Sequence, residues 1–337
     1  MIKEIKYFKI NKHKFQSHSK TLIIAEAGSN HNQNIRFAKN LIDIAAKAKC
    51  DAIKFQLFKA DTLIQKKQKG WKILNGLELN DKWIPILKKY ANKKKLLFGV
   101  SPFDVESVKI LKKYNIDFVK IASTEIQDIT LIKECVKLKK PLIISSGAST
   151  MLDISLAIDL IRKTSTNFSL LHTISIYPPK INQLNLRMIN SLNKTFGIPV
   201  GFSDHSISYI IPSIAVALGA CIIEKHITFN KQAKGPDHKF SLNGKELTKM
   251  VQGIRETEDS FGSFIKQPAI KNERLGLARR IVLKRDYKRG EKINNKDLIV
   301  KRADQKGIHS IDLPKIVNLT ITVNLKSDEV LKWDYFK

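Results

Sequence analysis

"IIAEAGSNHNQN", residues 23–34, sets an apolar run against an abrupt knot of hydrogen-bonding side chains. The run from Leu22 to Ala25 predicts a buried strand, and it ends in Glu26, Gly28 and then Ser29-Asn30-His31-Asn32. One polar strand end is an ordinary turn. Repeated at every strand, it marks one functional end of a sheet. Comparable runs predict strands at Thr21–Ala27, Ala52–Phe58, Leu96–Ser101, Phe118–Ala122, Leu142–Ser146, Ser169–Ile174, Pro199–Phe202 and Cys221–His226. Stretches with helical spacing of apolar residues lie between them, such as "RFAKNLIDIAAKAK", "VESVKILKKY" and "LDISLAIDLIRK". Strands alternating with helices argue a parallel sheet, and eight such units in about 240 residues predict a closed (β/α)8 barrel, a TIM barrel. The open doubly wound alternative lacks a GxGxxG after any strand.

The alternation stops near Gly262. Residues 1–262 are expected to form the barrel domain, with the barrel proper from about residue 21, and 263–276 reads as a linker. "RRIVLKRDYKRGEKI", "DLIVKRA" and "NLTITVN" then predict a small β-rich domain over 277–337.

The formal charge of +29 invites a polyanionic partner. The lysines are spread over the whole chain, in "KKQK", "NKKK" and "KLKK", with no basic stripe interleaved with aromatics, which fits a solvated surface and no nucleic acid. No apolar run is long enough for a membrane span, and the basic N-terminus has no continuous apolar core of a secretory signal. Three widely separated cysteines without zinc spacing suit a reducing cytoplasm.

Barrel active sites gather at the carboxyl ends of the strands. Those ends carry Glu26; Lys54 and Gln56; Ser101; Lys120 and Ser123, with Glu125 beyond; His172, Ser175 and Tyr177; Ser203, Asp204 and His205; and Glu224 and His226. Strand parity puts Lys54 with Gln56, Ser203 with His205, and Glu224 with His226, each pair on one face. A lone strand-end histidine is more often a satisfied core residue. Two at the same end of adjacent strands suit a catalytic divalent metal. Lys54 and Lys120 are costly in a buried mouth without an anion, which a bound phosphate or carboxylate supplies. For Lys120 the alternative is an ion pair with Glu26 or Glu125.

At this point "IIAEAGSNHN", "DAIKFQLFKADTLI", "SPFDVESVKIL", "VKIASTEI", "GFSDHS", "GACIIEKHIT" and "GPDHKFSL" together resemble the sialic acid synthase family, whose members make N-acetylneuraminate, legionaminate and related nonulosonic acids. The tail from Arg279 to Ala303 resembles that family's antifreeze-like SAF domain, so the likeness spans nearly the whole chain. The resemblance implies condensation of phosphoenolpyruvate with the aldehyde of an open-chain N-acyl amino sugar. It implies that His205 and His226 hold the metal, usually manganese, with Mg2+ or Co2+ as alternatives. Lys54, Lys120, Ser101, Ser123, Ser203 and Gln56 would hold the phosphate and carboxylate, and Glu26 would handle protons. Tyr177, Ser175, Asp237 and Glu125 would orient the sugar and the metal's water, and Asn75 would join them. Arg302 matches an SAF-domain arginine that reaches a neighbouring subunit's site, implying a domain-swapped homodimer; without the resemblance it is a solvated strand charge.

The chain departs from the family in placing Ser175 where Asn is usual, Thr173 for Cys, Gln33 for Gly, and "SSGAST" for "STGM-T". "KRADQKGI" lacks the Pro-Gly expected after Arg302. These changes touch sugar recognition more than reaction class. "GPDHKFSL" is closer to the neuraminate and legionaminate branches than to the pseudaminate branch. Two rivals remain in view: an octulosonate or deoxy-heptulosonate synthase, which does not explain the tail, and a non-catalytic SAF-bearing binding protein.

Overall fold

Period-two alternation along a strand sends neighbouring side chains to opposite faces, so a run that is buried throughout must be covered on both. A closed barrel wrapped in helices meets that demand. The computed structural model describes residues 4–267, 269–270 and 277–337. It divides into two units, Met1–Gly262 and Ser263–Lys337.

In the first unit eight parallel strands close in chain order: β3 (Leu22–Glu26), β4 (Ala52–Leu57), β5 (Leu97–Pro102), β6 (Phe118–Ile121), β7 (Leu142–Ser145), β8 (Phe168–Thr173), β9 (Val200–Asp204) and β10 (Ile222–His226), with β10 pairing back to β3. Helices follow the strands, among them α1 (Ile35–Lys47), α2 (Trp83–Lys93), α3 (Met151–Arg162), α4 (Ile211–Ala217) and α5 (Gly244–Ser260). Local chemistry starts them: Thr150 and Asp153 form a capping box on α3, and Asn243 with Glu246 forms one on α5.

Before the barrel lies an antiparallel hairpin, β1 (Phe8–Ile10) with β2 (His13–Phe15). The sequence reading placed no element there, because two three-residue strands carry too little periodicity to register. Its Phe8, Ile10 and Phe15 pack with Leu22, Ile24, Ala52, Phe118, Ile143, Leu171 and Ile222 in one apolar cluster. These are the lumen-facing residues at the start of the strands, so the hairpin plugs that end. Gly99 makes room for the Phe118 ring, which an added Cβ would overlap. Further along the same face of the strands the residues become polar: Glu26, Lys54, Ser101, Lys120, Ser145, Ser203 and Glu224. The apolar floor confines the charges to one end.

The second unit holds an antiparallel pair, β11 (Arg279–Leu283) with β12 (Leu298–Arg302), over a core that includes Ile281, Tyr287, Leu298, Ile308, Ile316, Ile321 and Leu331. The Tyr287 hydroxyl donates to Asp297, and the Arg285 guanidinium lies 3.7 Å from the Tyr287 ring centroid. "NLTITVN" is not the regular strand expected of it. It makes only isolated bridges, Lys292 with Thr320 and Ile321 with Phe336, because its partners are single residues of irregular segments. The expected linker falls partly outside the described residues, at 268 and 271–276. Among the described residues no helix is long and apolar enough to cross a membrane.

Candidate active site

Glu26, Lys54, Gln56, Ser101, Lys120, Ser123, Tyr177, Ser203, His205 and His226 line one cavity at the carboxyl end of the barrel, together with Ala122, Ser145, Thr173 and Glu224. Parallel register sets them side by side: His226 is level with Glu26, Glu26 with Lys54, Gln56 with Ser101, and Thr173 with Ser203.

The cavity floor is a four-charge cluster. Lys54 pairs closely with Glu26, donates to Ser101 Oγ at 2.8 Å and lies 3.6 Å from Glu224 Oε2. Lys120 donates to Glu224 Oε1 at 2.8 Å, and Ser203 Oγ donates to the same oxygen at 2.8 Å. Both lysines are only 3% exposed. Glu224 corrects the expectation for Lys120: its protein partner is neither Glu26 nor Glu125. The sequence marks Glu224 only as a strand-end residue; its parity with His226 is the signal that places it in the cavity.

Burial dominates the titration of this floor and the charges then sort it. Burial pulls Lys54 down, but Glu224 and Glu26 together push it above the ordinary lysine range. Burial holds Lys120 below that range, with Glu224 opposing and Lys54 adding to the effect. Glu224 is kept well below the usual carboxylate range: burial works against this, but Lys120 and Lys54 outweigh it. Glu26 is raised by burial, opposed by Lys54 and assisted by Glu224. Its Oε1 accepts the Gly28 N–H at 2.8 Å.

The two imidazoles face each other with ring centroids 5.5 Å apart, walled by Tyr177 and Phe240. Phe240, in "GPDHKFSL", carries no sequence signal of this role beyond its place in that motif. His205 Nδ1 lies 2.8 Å from the Ile174 carbonyl, which fixes the tautomer with Nδ1–H donating and leaves Nε2 as the lone-pair nitrogen. Burial, then His226 beside it, pushes His205 down to about 3. Burial lowers His226 too, with Asp237 opposing. Its Nδ1 is buried without a hydrogen-bond partner among the described residues, 3.9 Å from Asp237 Oδ2. Two neutral imidazoles, one oriented by a backbone carbonyl and one with an orphaned nitrogen, fit the donor set of a divalent cation. Among the described residues no group of three or more His, Cys, Asp or Glu converges there.

The other expected residues sit at the rim. Asp237 accepts from Ser29 N and Ser29 Oγ, which ties the loop after β10 to the loop after β3. Gly28 at φ +51° permits this, since an added Cβ would stand 2.7 Å from Asp237 Oδ2 and 3.0 Å from His226 Nδ1. Glu125 is buried and accepts from Thr124 Oγ1. Ser175 Oγ is buried with no partner among the described residues, and it crowds Gly147 together with Ser123. Gln33 takes φ +50°, so the turn keeps the left-handed conformation although a side chain replaces glycine. Asn75 does not line the cavity; its carbonyl accepts from Gln33 Nε2. His172 also leaves the mouth: parity turns it outward, where Nε2 meets the Leu184 carbonyl and the ring stacks on Phe202. Arg302 belongs to the second unit, exposed at the end of β12.

The NeuB family matches residues 41–266, and the SAF domain matches residues 278–337. The chain belongs to the NeuB family. As a NeuB member it is an enzyme, a synthase with a TIM barrel and a C-terminal SAF domain. It is 36% identical to an N,N'-diacetyllegionaminic acid synthase of Legionella pneumophila over 98% of each chain. Among solved structures, a sialic acid synthetase of Leptospira borgpetersenii in complex with citrate matches with TM-score 0.75 and 34% identity, over 81% of this chain and 95% of that one. The spore coat polysaccharide biosynthesis protein spsE of Bacillus subtilis matches with TM-score 0.70 and 32% identity, over 98% and 99%. NeuB relatives at 30% identity are named pseudaminic acid synthase, in Campylobacter jejuni, and N-acetylneuraminate-9-phosphate synthase, in Homo sapiens. These names together make nonulosonic acid synthesis the family's business.

Proposed function

We propose that this enzyme condenses phosphoenolpyruvate with an N-acyl amino sugar to give a nonulosonic acid and phosphate. The observation that carries the reading is the pair of buried ammonium groups, Lys54 and Lys120, beside a neutral imidazole pair in one cavity. The lysines, with Ser101, Ser123, Ser203 and Gln56, bind the phosphate and carboxylate and stabilise charge that develops there. The enol C3 attacks the aldehyde carbon and forms the new C–C bond. Water adds to C2, and one of its protons passes through the Glu26 carboxylate, which pairs with Lys54, to the former aldehyde oxygen. The tetrahedral centre then collapses to the ketone as the C–O bond to phosphate breaks, and the proton of the C2 hydroxyl leaves with the phosphate. His205 and His226 would hold a divalent cation, Mn2+ with Mg2+ or Co2+ as alternatives, which when bound would supply Lewis acidity. Tyr177, Ser175, Asp237 and Glu125 orient the sugar.

The substrate favoured is a diacetamido-trideoxy hexose of the legionaminate type, ahead of N-acetylmannosamine. "GPDHKFSL" and the 36% likeness to a legionaminic acid synthase support it. The further reading is a cytoplasmic homodimer in which Arg302 of one subunit serves the other's site. The deoxy-heptulosonate synthases that share the barrel do so at 18% identity, a likeness of fold alone. Phosphate release from phosphoenolpyruvate with Mn2+, compared across the diacetamido sugar, N-acetylmannosamine and a phosphorylated aldose, with product mass, tests the reading. Turnover on the first with a higher kcat/KM supports it; turnover on the aldose alone overturns it.

A further inference from the structure

Beneath the imidazole pair, on the helix-facing side of the barrel wall, lies a second buried ion pair that the chemistry above does not use. Asp204 and Lys225 are both 1% exposed and stand level with each other across β9 and β10. Lys225 Nζ donates to Asp204 Oδ2 at 2.6 Å and to the Ser206 carbonyl. Asp204 Oδ1 accepts the Ser206 N–H at 2.8 Å, and Ser206 Oγ donates to Oδ2 at 3.1 Å. Alternation explains the placement: Glu224 and His226 line the cavity, so the intervening Lys225 faces outward.

The chain positions are telling. His205 lies between Asp204 and Ser206, and the Lys225 ammonium grips both neighbours. Lys225 itself precedes His226. One ammonium thus holds the Asp204 side chain on one side of His205 and the Ser206 backbone on the other, and it belongs to the residue immediately before His226. A buried ion pair is a poor source of stability, since apolar replacements are often neutral or better. Its use here is geometric.

We infer that Asp204 and Lys225 are positioning residues that set the separation and aim of His205 and His226, and so the affinity of the site for a divalent cation. This rests on the metal reading proposed above. Second-layer partners of metal ligands typically govern about 10- to 100-fold in metal affinity or activity.

The experiment measures Mn2+ binding to the intact protein by the loss of the free-ion EPR signal, beside urea unfolding and kcat with KM. The double variant Asp204→Asn/Lys225→Met removes both charges yet leaves Asn an oxygen for the Ser206 N–H. Asp204→Asn/Lys225→Gln restores a neutral hydrogen bond across the strands. The expected result is an Mn2+ Kd weakened about 10-fold or more in the Met pair, a parallel fall in kcat at unchanged sugar KM, and substantial recovery of both in the Gln pair. Unchanged Mn2+ affinity in the Met pair overturns the inference, as does a loss that the Gln pair fails to recover. A wild-type protein that binds no Mn2+ overturns the metal reading itself, a different failure that the wild-type titration alone reveals.

Discussion

Replacing Glu224 by Gln removes one charge from the cavity floor while keeping an oxygen for Ser203 and Lys120. In the wild-type protein Glu224 Oε1 accepts from both at 2.8 Å, and Oε2 lies 3.6 Å from Lys54. The variant leaves two buried ammonium groups facing the single carboxylate of Glu26. Breaking a buried pair from one side costs about 3 to 5 kcal/mol, and the retained oxygen puts the expected loss near the lower figure, about 3 kcal/mol. The pH dependence has a definite sign. Glu224 raises the affinity of both lysines for protons, so its loss lowers their folded-state pKa values, while the unfolded chain keeps the ordinary value of 10.5. Between those values the unfolded state binds more protons, and stability there rises with pH. The deficit of Glu224→Gln is therefore largest at neutral pH and shrinks as pH approaches 10.5. Inorganic phosphate refills the missing negative charge, so the variant binds it more tightly than wild type and is stabilised more by it; a ligand at 100 times its Kd adds about 2.7 kcal/mol. Urea unfolding followed by barrel tryptophan fluorescence, at several pH values with and without phosphate, is the assay. A variant as stable as wild type, or a deficit that stays flat from neutral pH to about pH 10, refutes the counter-charge role.

Chelation should abolish turnover and Mn2+ should restore it; His205→Ala or His226→Ala should lose about 100-fold or more in kcat with an unchanged circular dichroism spectrum, and wild-type turnover in either removes the metal assignment. Gly28→Ala should cost about 1 to 2 kcal/mol for its left-handed backbone, and should also weaken Mn2+ binding, because its Cβ intrudes on Asp237 and His226. Thermal unfolding and metal titration check the two effects separately. Asp51→Ala should lower stability by about 2 kcal/mol without changing kcat, because Asp51 accepts Ile23 N and Arg255 Nη2 at the opposite end of the barrel. A fall in kcat for folded Asp51→Ala would show that the two ends are coupled.

The barrel was legible because eight apolar runs alternate with amphipathic helices, and closure is the arrangement that buries both faces of each run. Most of the cavity was legible too, because parity at strand ends is a local property of the chain: Lys54, Gln56, Ser203, His205 and His226 all line it. The N-terminal hairpin was not legible, since its three-residue strands gain their meaning from the barrel end they plug. "NLTITVN" had the alternation of a strand but found no continuous partner, and a strand exists only in a ladder. Parity also separates His172 from His226: both end strands, but only one points inward.

By itself, then, the amino-acid order determines the eight barrel strands, the polar end of each and which residues share a face, because periodicity and side-chain direction are short-range. Who neutralises whom is settled only when the strands are side by side. Lys120 meets Glu224 across 104 positions of sequence, and Lys225 meets Asp204 across 21. Charge pairing inside a barrel depends on register and closure, and the electrostatic energy that selects among partners falls with a distance that no linear spacing encodes.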